Sequence, residues 1–149
     1  MNFKLRVNNE LQKGQSLFEV VVAIAITALV ITGIVSLTTN SIQNSSFSRD
    51  STLASNYIVQ TNEWLRQERD GDLNVFIAHT ATGVWCFKEL TWTLPRACGA
   101  SDYVTGTKFT RQVDFQTTSP NLVQVDVTIT WTDSKGIHES LGSTNLSIK

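Results

Sequence analysis

The sequence predicts an α+β chain: a long N-terminal α-helix, hydrophobic in its first half and amphipathic in its second, packed on a small antiparallel β-sheet. From Gln15 to about Arg69 there is no proline, and apolar residues are either nearly continuous or recur at three- and four-residue steps. From Gly71 to Lys149 the chain carries both prolines, six of its eight glycines and stretches of strict apolar/polar alternation. One helix stripe covering one sheet face would bury both surfaces.

Four zones succeed one another. Residues 1–14 form a polar, basic leader with Lys4, Arg6 and Lys13 against Glu10, a net charge of +2 that leaves −3 on the remainder of a chain whose total is −1. Residues 15–37 form a hydrophobic segment, residues 38–70 an amphipathic helix, and residues 71–149 an antiparallel β head with a cysteine-containing loop. A basic leader before an apolar run, with a mildly acidic body after it, reads as a cytoplasmic leader and an exported head. At 149 residues the chain has room for about one compact domain beside such a segment. The net charge offers no electrostatic reason to expect nucleic acid.

Leu17–Leu37 is 21 residues long. At about 1.5 Å per residue it spans roughly 31 Å, close to the thickness of a hydrocarbon core. Glu19 lies near its start. A charged side chain at membrane depth costs about 2.5–3.5 kcal/mol even on insertion scales, so it marks a function or a partner.

Beyond this run, Leu53, Ala54, Tyr57, Ile58, Thr61, Trp64 and Leu65 form one apolar stripe, with Asn56, Gln60, Asn62, Glu63, Arg66 and Gln67 on the other side. Gly33 and the run Thr38–Ser48 weaken the helix, and Asp50 and Ser51 are placed to restart it. Arg69-Asp70-Gly71-Asp72 is a stop signal, with Gly71 expected to take a left-handed cap.

In the head, Val123, Val125, Val127, Ile129 and Trp131 alternate with polar residues, the clearest strand signal in the chain. Asp133-Ser134-Lys135-Gly136 supplies a turn, and Ile137 onward is the hairpin partner. Apolar positions there shift from odd (Ile137, Leu141) to even (Leu146, Ile148), which predicts a bulge or bend at Gly142. Phe109, Arg111, Val113 and Phe115 form a third strand. Gly83–Lys88 and Thr91–Leu94 are candidates for two short ones. Trp64 and Trp131 are expected in the core, His79 and His138 on the surface, and exposure of Trp85 and Trp92 beside the cysteines is the alternative to their packing.

Cys86 and Cys98, 12 positions apart, have no CxxC or Cys/His metal pattern around them. A disulfide in an oxidising compartment is the favoured reading, and two buried thiols the alternative. No nucleophile–base pair, paired carboxylates or phosphate loop is recognisable, so neither catalysis nor a cofactor is expected.

Lys13-Gly14-Gln15-Ser16-Leu17-Phe18-Glu19 and the apolar helix after it resemble the N-terminus of type IV pilins and type II secretion pseudopilins. The resemblance implies a dedicated prepilin peptidase that cuts after Gly14 and methylates the new N-terminus at Gln15. It makes Glu19 the assembly glutamate five residues into the mature chain. Many members begin with phenylalanine where this chain has Gln15, a residue that can also cyclise. The linear amine is expected here. The order of the head resembles a pilin head, and Val125–Asp133 with Lys135-Gly136 resembles minor pilins of the PilV type.

The family likeness further implies a filament subunit, single-pass in the cytoplasmic membrane before assembly and extracellular or periplasmic afterwards. Its partners would be other pilin subunits, the prepilin peptidase and an assembly platform. Alternatives are a secretion or DNA-uptake pseudopilin, and a pilin-anchored adhesive module reading a ligand through Val75–Thr107, with Trp92 and Arg96 as candidate contacts. An ordinary cleaved signal peptide is disfavoured by the length of the run and by its internal acid. A plain membrane anchor leaves Gly14 and Glu19 unexplained.

Overall fold

A computed structural model describes residues 17–149 in full and assigns the backbone of the first helix, α1, over Leu11–Gly71. Most of the leader therefore lies outside the described residues. The chain divides into two compact units that meet in sequence at Ser46 and Phe47.

In the first unit, residues 17–46 belong to α1, and the apolar side chains from Leu17 to Leu37 stand exposed, Leu17 by 69% and Leu37 by 72%. The helix is long and apolar enough to cross a membrane. Its threonines are reconciled with that setting locally: the hydroxyls of Thr27, Thr32, Thr38 and Thr39 donate to the carbonyls of Ala23, Leu29, Ile34 and Val35 at 2.8–3.0 Å. Such back-bonding leaves none of these hydroxyl donors unsatisfied where water is absent. Neither Gly33 nor Thr38–Ser48 interrupts the helix.

The second unit is two-layered, the rest of α1 lying on a four-stranded antiparallel sheet of β1 (Val84–Cys86), β2 (Thr110–Ser119), β3 (Leu122–Asp133) and β4 (Gly136–Ser147), in spatial order β1-β2-β3-β4. The stripe faces the sheet: Ala54, Ile58, Thr61 and Leu65 are buried, and Leu53, Tyr57 and Trp64 pack at the margin. Opposite them lie Val113 and Phe115 of β2, Val123–Trp131 of β3 at alternate positions, and Leu146 of β4.

Three expectations are corrected, and one helix is added. Gly71 ends α1 but has no left-handed conformation. The stop is made by Asp72, an extended N-cap whose Oδ1 accepts from the amides of Asn74 and Val75 and opens a second helix, α2 (Leu73–Thr80), that the apolar run Leu73–Ile77 did not reveal. Thr91–Leu94 is not a strand. No bulge occurs at Gly142, because β3 and β4 pair in unbroken register from Leu122↔Ser147 to Asp133↔Gly136, and the shift lies instead in β2 between Thr117 and Ser119.

The register of β4 explains the parity change physically. Even-numbered residues face the helix throughout, so Ile137 and Leu141 point away from the core, 77% and 67% exposed. Gly142 faces inward because α1 passes close above it: a Cβ there would collide with Cγ2 of Ile58. A bulkier residue at this point would separate helix from strand.

Candidate functional site

The N-terminal segment is built on helix geometry. Gln15 and Glu19 are one turn apart on α1, a rise of about 6 Å, which puts them on the same helix face. Helical side chains lean toward the N-terminus, so the Glu19 carboxylate leans toward position 15. The backbone of Gly14 belongs to the same helix, and the side chain of Gln15 lies outside the described residues. Glu19 itself is exposed between Phe18 and Val20, which are 71% and 54% exposed, and has no ion-pair partner among the described residues. An exposed acid thus stands at the head of an apolar helix whose side chains from Leu17 to Leu37 are exposed.

Residues 11–35 match the family described as the prokaryotic N-terminal methylation motif. This match supports a subunit of the pilin and pseudopilin class, and it covers Gly14, Gln15, Glu19 and most of the apolar run. No curated protein and no solved structure matches the chain.

Beyond the methylation motif, the head brings other residues together. Cys86 and Cys98 form a disulfide with their Cα atoms 4.9 Å apart. It ties the end of β1 to a loop that Gln112 also holds, its side-chain oxygen accepting from the Cys98 amide at 3.1 Å. Within the loop, Asp102 accepts from Arg96 Nη1 at 2.5 Å and from the Gly99 amide at 2.8 Å, and pairs with Lys88 at 3.2 Å. These donors, Arg96 first, hold the Asp102 carboxyl well below the usual carboxylate range, and Asp102 in turn raises the Arg96 guanidinium.

The candidate contacts Trp92 and Arg96 are therefore both engaged internally. Trp92 donates from Nε1 to Glu68 Oε2 at 2.7 Å, stacks on His79 at 4.3 Å between ring centroids, and meets the rings of Trp85 and Trp64 at 4.8 and 5.0 Å. Trp85 is 2% exposed and donates to the His79 carbonyl. The cysteine-side tryptophans are thus a packed aromatic cluster that joins α1, α2 and the loop, and no part of Trp85 is offered to a partner.

The histidines also depart from the expected surface role. His79 is half-buried against Trp92. His138 lies within 2.8 Å of Asp133 Oδ1 and edges onto Phe47 at 5.0 Å. Asp133 is lowered in pKa by that bond first and by the Lys135 amide second.

Sequence reasoning missed two further features. Asp50 on α1 is buried and pairs with Lys108 at 2.6 Å, across 58 positions of chain. Arg111, inside β2 and 2% exposed, donates from Nε to the Phe87 carbonyl at 3.2 Å, while its Nη1 has no hydrogen-bond partner. Burial lowers its pKa. The only available signal was an arginine at an inward-facing strand position. Among the described residues, no group of His, Cys, Asp and Glu is placed to hold a metal ion.

Proposed function

We propose that this chain is a minor subunit of a type IV pilus-like filament. It is anchored in the cytoplasmic membrane with its head exported, cut between Gly14 and Gln15 by prepilin peptidase, methylated at Gln15, and assembled through its N-terminal helix. The observation that carries this reading is the methylation-motif match over residues 11–35 on a helix whose 17–37 face is apolar and uncovered. Other pilin subunits and the assembly platform are the partners.

The mechanism turns on Glu19. In the waiting subunit the carboxylate sits near the start of the membrane segment, where snorkelling and water limit its cost. In a filament core made of bundled apolar helices, an unpaired carboxylate is strongly unfavourable, and a paired one is not. Cleavage after Gly14 creates an α-amino group whose ordinary pKa, about 7.7–8.0, leaves it largely protonated near neutral pH. That amine, from the same or the preceding subunit, pairs with Glu19, and the helix N-terminus favours the same carboxylate. Leader removal is thereby a switch for assembly.

The test is the mass of the mature N-terminus in cells that contain a prepilin peptidase. The reading expects a chain beginning at N-methylated Gln15, and a Gly14→Val variant retaining its leader. A chain cut elsewhere, or mainly pyroglutamate at position 15, contradicts it. Copurification with a retraction motor supports a pilus, whereas copurification with an outer-membrane secretin and secretion-specific subunits contradicts the pilus assignment and favours a pseudopilus.

A further inference from the structure

Strand β4 is one edge of the sheet, since the spatial order is β1-β2-β3-β4. Its pairing with β3 fixes which backbone groups remain free. Just past the strand ends, the Ile148 amide donates to the Asn121 carbonyl at 3.0 Å, in continuation of the β3–β4 register. Hydrogen-bonded pairs alternate along an antiparallel ladder, so the even-numbered residues of β4 bond to β3 and the odd-numbered ones turn their N–H and C=O outward. Among the described residues, no hydrogen bond reaches these outward groups from Ile137 to Ser147. At about 3.4 Å per residue the open row is about 34 Å long.

Three features say what such an edge takes. First, β4 carries none of the devices that blunt an edge: it is 12 residues long, holds no proline or lysine, and pairs without a bulge. The opposite edge is blunted, because β1 has 3 residues and Cys86 ties it to the loop at Cys98. Second, Ile137 and Leu141 stand exposed on the outer face with the exposed Glu139 between them. An added strand would set its own side chains directly beside these three. Third, a second copy of β4 is a poor complement. The antiparallel register that matches Ile137 with the copy's Leu141 sets the two Glu139 carboxylates opposite each other, and like charges so placed repel. The register centred on Leu141 leaves Ile137 facing Asn145.

We infer that the open edge of β4 accepts an antiparallel strand from a different polypeptide, with aliphatic residues opposite Ile137 and Leu141 and a basic residue opposite Glu139. Free N–H and C=O groups at every second residue are matched by an extended backbone of the same repeat, and the main-chain bonds supply the affinity. Side chains supply the selectivity. The aliphatic pairs remove apolar surface from water, and a basic residue turns the repulsion at Glu139 into attraction. Such an edge works in whichever filament the chain joins, because β4 lies wholly within the second unit.

The experiment titrates the isotope-labelled full chain, in zwitterionic micelles, with the peptide acetyl-TVTKTVT-amide and follows amide hydrogen exchange. Saturable binding at millimolar concentration or below is expected, with exchange at the Ile137, Glu139 and Leu141 amides slowed about tenfold or more. The same peptide N-methylated at both valines and the lysine keeps its side chains but loses those donors, and should bind at least about tenfold more weakly. Glu139→Lys should reverse the preference, taking acetyl-TVTETVT-amide over the lysine peptide. Near-UV circular dichroism identifies a variant that fails to fold, and the N-methylated peptide then decides alone. No binding of the lysine peptide overturns the inference, as does equal binding of its N-methylated form or slowing at other amides instead of these three. So does an unchanged preference in the folded Glu139→Lys chain. Protection of the three amides that grows with protein concentration in the absence of peptide overturns it too, since a second copy then fills the edge.

Discussion

Gly142→Ala is the sharpest test of how helix and sheet are fitted together. The added Cβ meets Cγ2 of Ile58, an atom one bond from the Ile58 Cβ, which itself would lie 3.5 Å away. A β-branched side chain has little rotamer freedom in a helix, so Ile58 cannot swing aside. Overpacking of this type costs about 1–3 kcal/mol. Replacing glycine in a strand recovers about 0.5–1 kcal/mol of backbone entropy. The net expectation is a destabilisation of about 1–2 kcal/mol, or about 2–8 °C in Tm for a chain of this size. Ile58→Ala alone should cost about 2–4 kcal/mol through lost burial and cavity formation. In the double variant the new Cβ occupies space that Ile58 vacates, so the two costs should fall short of additivity by at least about 1 kcal/mol. Denaturant unfolding of the full chain in micelles, monitored by tryptophan fluorescence, reads all four proteins. Gly142→Ala indistinguishable from wild type, or strictly additive costs, would refute the close approach of α1 to β4.

Three other outcomes are expected. Replacing both Cys86 and Cys98 by alanine should destabilise the head by about 3 kcal/mol on the chain-entropy account, measured by the same unfolding assay under non-reducing conditions. Because the folded-state pKa of Asp102 is depressed, its contribution is complete above the ordinary carboxylate range and is lost as pH falls below about 4. The Gly99 amide resonance should therefore shift with acidification in the wild type and stay displaced at every pH in Asp102→Asn. Arg111→Met should leave stability within about 1 kcal/mol of wild type or raise it, since a buried guanidinium with an unpartnered Nη1 is replaced by an apolar chain of similar length. A loss of several kcal/mol in unfolding would show that its bond to the Phe87 carbonyl matters more than its desolvation.

The range of the forces involved decides which features the sequence discloses and which it conceals. The inward face of β3 and the stripe from Ala54 to Leu65 are legible because burial imposes periods of 2 and 3.6 on the chain itself. The motif around Gly14 and Glu19 is legible because a charge inside an apolar run is conspicuous. Helix α2 was hidden, since Val75-Phe76-Ile77 suits a strand as well as a helix and the choice is made by the Asp72 cap. Gly142 suggested a bulge because its reason, the nearness of Ile58, lies 84 positions away in the chain. The same distance problem conceals Asp50–Lys108 and the Trp92–Glu68 bond, without which Trp92 reads as a surface aromatic.

The central claim is that Glu19 is half of a contact completed by the amine that cleavage creates. Incorporation of Glu19→Gln into filaments, measured as the ratio of filament-borne to membrane-held subunit beside wild type, tests it most directly. The account predicts a variant that inserts and is cut normally after Gly14 yet is depleted at least about tenfold from filaments, equivalent to about 1.4 kcal/mol. Wild-type incorporation of the cleaved Glu19→Gln chain would contradict it.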